Sequence, residues 1–128
     1  MSYYFSKTAD ADFDTAIEKV TEELKKEGFG ILTQIDVKET LKKKIDVDFK
    51  KYRILGACNP QFAYEALKTE DKIGTMLPCN IIVQEHENGE VEVSAVDPVS
   101  SMMAVKNEAL ASVAMQVKEK LSRVIANL

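Results

Sequence analysis

The sequence has no tryptophan, one histidine, two cysteines, three prolines and five glycines in 128 residues. Each scarcity narrows the field. The single histidine, His86, lies far along its strand from the thiols, which argues against a histidine-dependent triad, and the sequence lacks the paired Cys or His a few residues apart of a zinc site. The glycines are scattered at turns and strand ends and nowhere form a phosphate-binding loop. No apolar run approaches the ~20 residues of a membrane helix, and the early acids Asp10, Asp12 and Asp14 replace the basic start and apolar middle of a secretory signal. Positive charge is not in excess either: 17 Lys and Arg against 21 Asp and Glu leave a net charge of -4. The one basic run, Lys42-Lys43-Lys44, is answered by Asp46 and Asp48 and reads as a solvated helix end. These absences exclude a nucleic-acid partner and a membrane span and set the expectation of a soluble cytoplasmic protein, in which both cysteines are reduced thiols.

What is present is enough apolar material for one core. At 45% hydrophobic side chains the chain builds a single domain over residues 1–128. Ser2 to Lys7 is short and aromatic and reads as a strand, followed by a helix capped by Asp10 or Asp12. Phe13, Ala16, Ile17, Val20 and Leu24 recur at spacings of three and four and form one helical stripe, which Gly28 closes. Ile31 to Ile35 reads as a strand, and Asp36 with Glu39 resembles a capping box for a short helix ending near Ile45. Tyr52 to Cys58 is a third strand. It meets a helix start, with Asn59 as cap and Pro60 at the first helical position, and Phe62, Ala63, Ala66 and Leu67 facing inward. Ile73 to Pro78 reads as a connector with no element of its own. A fourth strand from Cys79 to Glu87 turns at Asn88-Gly89, and after Met103 a long helix carries Leu110, Val113, Ala114, Val117, Leu121, Val124, Ile125 and Leu128 on one side.

This order predicts an α+β domain with a largely antiparallel five-stranded sheet packed by helices. Taking Asn88-Gly89 as a two-residue turn sets the hairpin register by counting outward: Gln84 faces Val93, Ile82 faces Ala95, Asn80 faces Asp97 and Cys79 faces Pro98. A bulge shifts that count by one and moves Asp97 to the other face.

The least random feature is a repeated dipeptide. Cys58-Asn59 and Cys79-Asn80 each stand beside a proline, at an end of an apolar strand. If the third and fourth strands are antiparallel neighbours, Cys58, Asn59, Cys79, Asn80 and Asp97 converge at one edge of the sheet; if they are parallel, the thiols lie at opposite ends.

Gly28-Phe29, Ile35-Asp36-Val37, Ile54-Leu55-Gly56-Ala57-Cys58-Asn59-Pro60, Ile73-Gly74, Leu77-Pro78-Cys79-Asn80 and Asp97-Pro98 together resemble the domain of unknown function 302 family, over nearly the whole chain. The resemblance implies a small prokaryotic domain with a β-α-β4-α core similar to TATA-binding-protein-like or helix-grip folds, an antiparallel third and fourth strand, and a homodimer. It implies no activity, because that family is uncharacterised.

For function the residues leave two classes open. One is a binding module, in which Cys58, Asn59, Cys79, Asn80 and Asp97 form a polar pocket for a small ligand. The other is a thiol-dependent redox or sulphur-handling protein, in which Cys58, at a helix start that favours thiolate, is the more reactive cysteine. A variant of the second is a copper(I) or other soft-metal site from both thiols with Met102 or Met103. His86 cannot join it, being about seven residues along the strand from Cys79, or ~23 Å. Against these stands the plain alternative of two small buried cysteines and strand-end capping groups. No cofactor and no reaction is assigned.

Overall fold

The computed structural model describes residues 2–128. Its backbone is a single antiparallel sheet of order β1-β5-β4-β3-β2: β1 (Tyr4–Ala9), β2 (Gly30–Asp36), β3 (Tyr52–Cys58), β4 (Cys79–Glu85) and β5 (Val91–Val96). The helices are α1 (Phe13–Lys26), α2 (Val37–Ile45), α3 (Pro60–Thr69), a short α4 (Pro98–Ser101) and α5 (Glu108–Ala126). The expected α+β architecture is therefore present.

The helix starts follow side-chain chemistry. Asp12 accepts from the Thr15 amide at 2.8 Å and Asp36 from the Glu39 amide at 3.0 Å, each satisfying a donor that has no partner within its helix. Asn59 accepts from the Phe62 amide at 3.5 Å, with Pro60 at the first position of α3. At the other end of α1, Gly28 takes a left-handed φ of 87°, and its N–H donates to the Lys25 carbonyl.

One face of the sheet is covered. Leu55, Ile81, Val83 and Val93 point to it with no exposure, and Val20 and Leu24 of α1 and Leu121 and Val124 of α5 close over them. Each such side chain contributes ~1.5–3 kcal/mol of transfer free energy. The opposite face carries Tyr4, Ser6 and Thr8 on β1, Glu92, Ser94 and Val96 on β5, Ile82 and Gln84 on β4, and Ile54 and Ile35 on β3 and β2. Tyr4 and Ile35 there are 43% and 47% exposed.

Four details depart from the sequence reading. The first strand lies two residues later, at Tyr4–Ala9, because its partner Val91–Val96 sets its span. Asp71–Met76 forms a 3-10 turn that buries Ile73 against Ala66 and Leu110, so the connector has an element after all. Pro98–Ser101 is a separate helical turn. Finally, β4 ends at Glu85 and the hairpin loop has three residues. His86 pairs with Glu90 through its N–H to the Glu90 carbonyl, Gly89 donates to the His86 carbonyl, and only Gly89, not Asn88, has positive φ. A tight two-residue turn needs positive φ at both positions, whereas a three-residue loop needs it only at the last. The register is accordingly shifted by one: Ile81 faces Ala95 and Ile82 faces Ser94.

Candidate functional site

Strands β3 and β4 are antiparallel neighbours, with Ala57 opposite Cys79 and Gly56 opposite Asn80. This pairing brings the end of one strand beside the start of the other, and with them the two thiols. Both cysteines are free and half-buried. The approach of the two segments is close: a Cβ on Gly56 would stand 2.8 Å from Pro78 Cγ and nearer still to Thr33 Oγ1. Glycine is required there because any side chain meets these two groups.

Cys58 and Cys79 line the same cavity of about 290 Å³. One wall is α3, with Phe62, Ala63, Ala66 and Leu67. The facing wall is α5, with Leu110, Val113, Ala114 and Val117. Phe29, Leu32, Ala57, Leu77, Pro78, Pro98 and Met102 complete it, with Asn59 beside the thiols. Leu32 and Leu67 are 67% and 45% exposed and mark its rim. Among the described residues no charged side chain lines it, so the expected polar pocket is in fact an apolar one. The helical stripe that reads from sequence as core is only partly so: Ala66 is buried against Ile73 and Leu110 and Phe62 packs on the main core, while the same stripe, with the exposed Leu67, also lines the cavity.

The five residues singled out from sequence do not form one cluster. Asn59 is held in place, its amide donating to the Glu27 carbonyl at 3.3 Å while its oxygen caps α3. Asn80 is exposed and lines a groove on the other face of the sheet, with Tyr3, Tyr4, Tyr52, Ile82 and Gln84. Since Ile81 faces Ala95, two residues further along Cys79, not Asn80, stands level with Asp97. Asp97 is 5% exposed, yet its carboxylate is already committed. It accepts from the Val99 and Ser100 amides at 3.0 and 3.4 Å, and its second oxygen lies 3.3 Å from Lys118 Nζ. Asp97 is thus a cap for α4 with a lysine counter-charge; its neighbour Pro98, rather than its carboxylate, reaches the cavity.

Burial, and then the nearby Cys58, push the Cys79 thiol up to about 11. Removing a thiolate from water is unfavourable, and a second negative sulphur close by adds to that. No carboxylate or imidazole lines the cavity to act as a base for either thiol. His86 instead bonds Glu92 Oε1 through Nε2 at 2.8 Å on the uncovered face, where Ser6 donates to the same carboxylate. Hydrogen bonds from Ser6 and then His86 hold the Glu92 carboxyl below its usual range. This Ser6-Glu92-His86 group was not legible in the sequence, since it depends on the β1–β5 register. Met102 is the other residue whose place was undetermined; it lines the cavity while Met103 is 66% exposed.

The family model described as domain of unknown function DUF302 matches residues 5–128. The chain belongs to the DUF302 family. A crystal structure of an uncharacterised conserved DUF302 protein from Bacillus stearothermophilus is similar to it, with 30% sequence identity, 98% of each chain covered and a TM-score of 0.91. No curated protein matches. The resemblance noted from the Gly56 to Pro60 and Leu77 to Asn80 runs thus holds for the whole DUF302 domain, and the fold is shared with that bacterial protein. No helix among the described residues is long and apolar enough to cross a membrane.

Proposed function

We propose that this DUF302 chain is a small-molecule-binding module whose ligand occupies the cavity between α3, α5 and the adjoining ends of β3 and β4. The observation that carries this reading is the cavity itself: a pocket of about 290 Å³, partly open to solvent, between α3, α5 and the adjoining ends of β3 and β4, with an uncharged and mostly apolar lining. Its volume lies near the lower end of the ~300–1,000 Å³ of small-molecule sites, and an uncharged lining of this kind selects a compact apolar or aromatic ligand. Polar discrimination is left to Asn59 and the two thiols. Binding is favoured over thiol chemistry because no base lines the cavity and Cys79 stays protonated at neutral pH.

A neutral naphthylamine fluorophore tests this. It is expected to bind the wild-type protein at one per chain with enhanced emission and to be excluded by Ala63→Phe, which fills the space under α3 from a half-buried position. Equal binding to both proteins, or none to the wild type, would rule the cavity out as a ligand site.

We propose further that the chain is a homodimer joined through the uncovered sheet face. The supporting observation is the composition of that face. Within the five strands Glu92 is its one charged side chain, with Lys50 beside it just before β3, in a chain that is 30% charged, and depletion of charge at the centre is what distinguishes an interface from ordinary surface. Light scattering at micromolar concentration is expected to give the dimer mass and to fall to the monomer mass for Ile82→Lys; a monomer mass for the wild type would exclude the interface.

A further inference from the structure

The uncovered sheet face carries an assembled group of hydrogen-bonded, titratable side chains. Glu92 Oε1 lies 2.8 Å from His86 Nε2, Ser6 donates to the other oxygen of the same carboxylate, and Ser6 Oγ is 2.9 Å from Ser94 Oγ. The His86 and Glu92 side chains are 37% and 30% exposed. We infer that this group is a pH-sensitive latch on the homodimer, in which protonation of His86 neutralises the Glu92 carboxylate and tightens the association of two copies through this face. The inference rests on the homodimer reading above and names what regulates that interface.

The geometry sets the sign. An ionised carboxylate only accepts, so the 2.8 Å bond places the His86 proton on Nε2 and leaves Nδ1 to take a second one. Histidine is the side chain that gains its charge between about pH 8 and about pH 5. Before that proton arrives the His86–Glu92 pair carries one negative charge; after it, none. A second copy laid on the face removes water from Glu92, and an uncompensated charge is far more costly to bury than a paired one. Burial already works against the Glu92 charge in the single chain. The neighbouring strands do little to offset it: β1 presents Ser6 and Thr8 and β4 presents Gln84, all uncharged. Tyr52 on β3 is held above its ordinary range by burial and is neutral at these pH values. Lys50 is the weakest of the influences on Glu92, and its Nζ lies 5.9 Å from the centre of the Phe49 ring. Glu85, Glu87 and Glu90 border the turn beside His86 and add negative charge that favours the same protonation. Dimerisation and proton uptake are therefore linked, and the dimer gains as pH falls because it binds more protons than two separate chains.

Sedimentation equilibrium of wild type, His86→Gln and Glu92→Gln between about pH 8 and about pH 5.5 tests the latch. The wild-type dimer dissociation constant is expected to fall by about tenfold or more across that range. His86→Gln keeps a donor to Glu92 but cannot gain charge, and is expected to hold the weak, high-pH constant throughout. Glu92→Gln removes the anion. It is expected to dimerise more tightly than wild type at the high-pH end and to weaken as pH falls, because His86 then charges without a partner. Opposite responses of two variants on the same face are not produced by loss of fold. A wild-type constant that does not tighten toward low pH, a pH dependence retained in His86→Gln, or the wild-type dependence retained in Glu92→Gln would each overturn the inference. Ile82→Lys separates the latch from the homodimer reading. A dimer of pH-independent affinity that Ile82→Lys abolishes removes the latch and keeps the interface, whereas a wild type that is monomeric at every pH removes both.

Discussion

Cys58-Asn59 and Cys79-Asn80 carry the same two side chains into different surroundings. The first pair ends β3 and starts α3, so Asn59 turns its oxygen to the helix amides and its amide to the Glu27 carbonyl. The second pair starts β4, where successive side chains alternate across the sheet; Cys79 goes to the cavity side and Asn80 to the uncovered face. A dipeptide at a strand-to-helix junction is thus positioned by capping, and the same dipeptide inside a strand by the pleat. The repeat brings its two cysteines to the border of one cavity and separates its two amides.

The largest effect expected from this contrast is on the thiols. With its thiol pushed up to about 11, Cys79 is about one-thousandth ionised at pH 8, so alkylation of the native wild-type protein should proceed first at Cys58, and Cys58→Ser should react very slowly. Peptide mapping after brief treatment reports which cysteine is labelled; prior labelling of Cys79 would reverse the assignment. The same group makes stability depend on pH. Below its ordinary value of 9.0, Cys79 is protonated in folded and unfolded chains alike. Between there and about 11 the unfolded chain loses its proton while the folded one keeps it, so stability is lost as pH rises, by ~2–3 kcal/mol in all. Denaturation of Cys79→Ser over that range should lack this component of the slope.

The contact that holds the two pairs in register is the next target. Gly56→Ala places a methyl group against Thr33 Oγ1 and Pro78 Cγ, and overpacking of this kind costs ~1–3 kcal/mol. Urea unfolding should show a lowered midpoint; an unchanged midpoint would mean that the approach of Pro78 to β3 is loose.

The smallest effect is the sharpest comparison of the amides. Asn59→Ala removes a cap and a tie to α1 and should destabilise by ~0.5–2 kcal/mol, whereas Asn80→Ala, at an exposed position, should stay within ~0.5 kcal/mol. Equal losses would contradict the distinction between junction and pleat.

Elements whose determinants are local were legible along the chain. The spans of β3 and α3, the caps Asp36 and Asn59, the choice of Asp10 or Asp12 that Asp12 fills, and the glycine that closes α1 depend on side chains within a few residues of the backbone they act on. The antiparallel placement of β3 and β4 remained open on the residues alone, and the family resemblance supplied it. The register of the hairpin did not follow from Asn88-Gly89, because that dipeptide serves both a two-residue and a three-residue loop, and the choice was made by the ladder bonds beyond it. The cavity was illegible for a related reason. Phe62, Ala63, Ala66 and Leu67 show the period of a packed helix face, and whether such a face meets a neighbour or stands off from it depends on the distance between α3 and α5, which is set by everything beneath them. Composition and local spacing determined the strands, the helices and the apolar character of their faces. Only the three-dimensional packing decided that one of those faces borders a pocket, and that both cysteines line it, because a space between two helices is a property of neither.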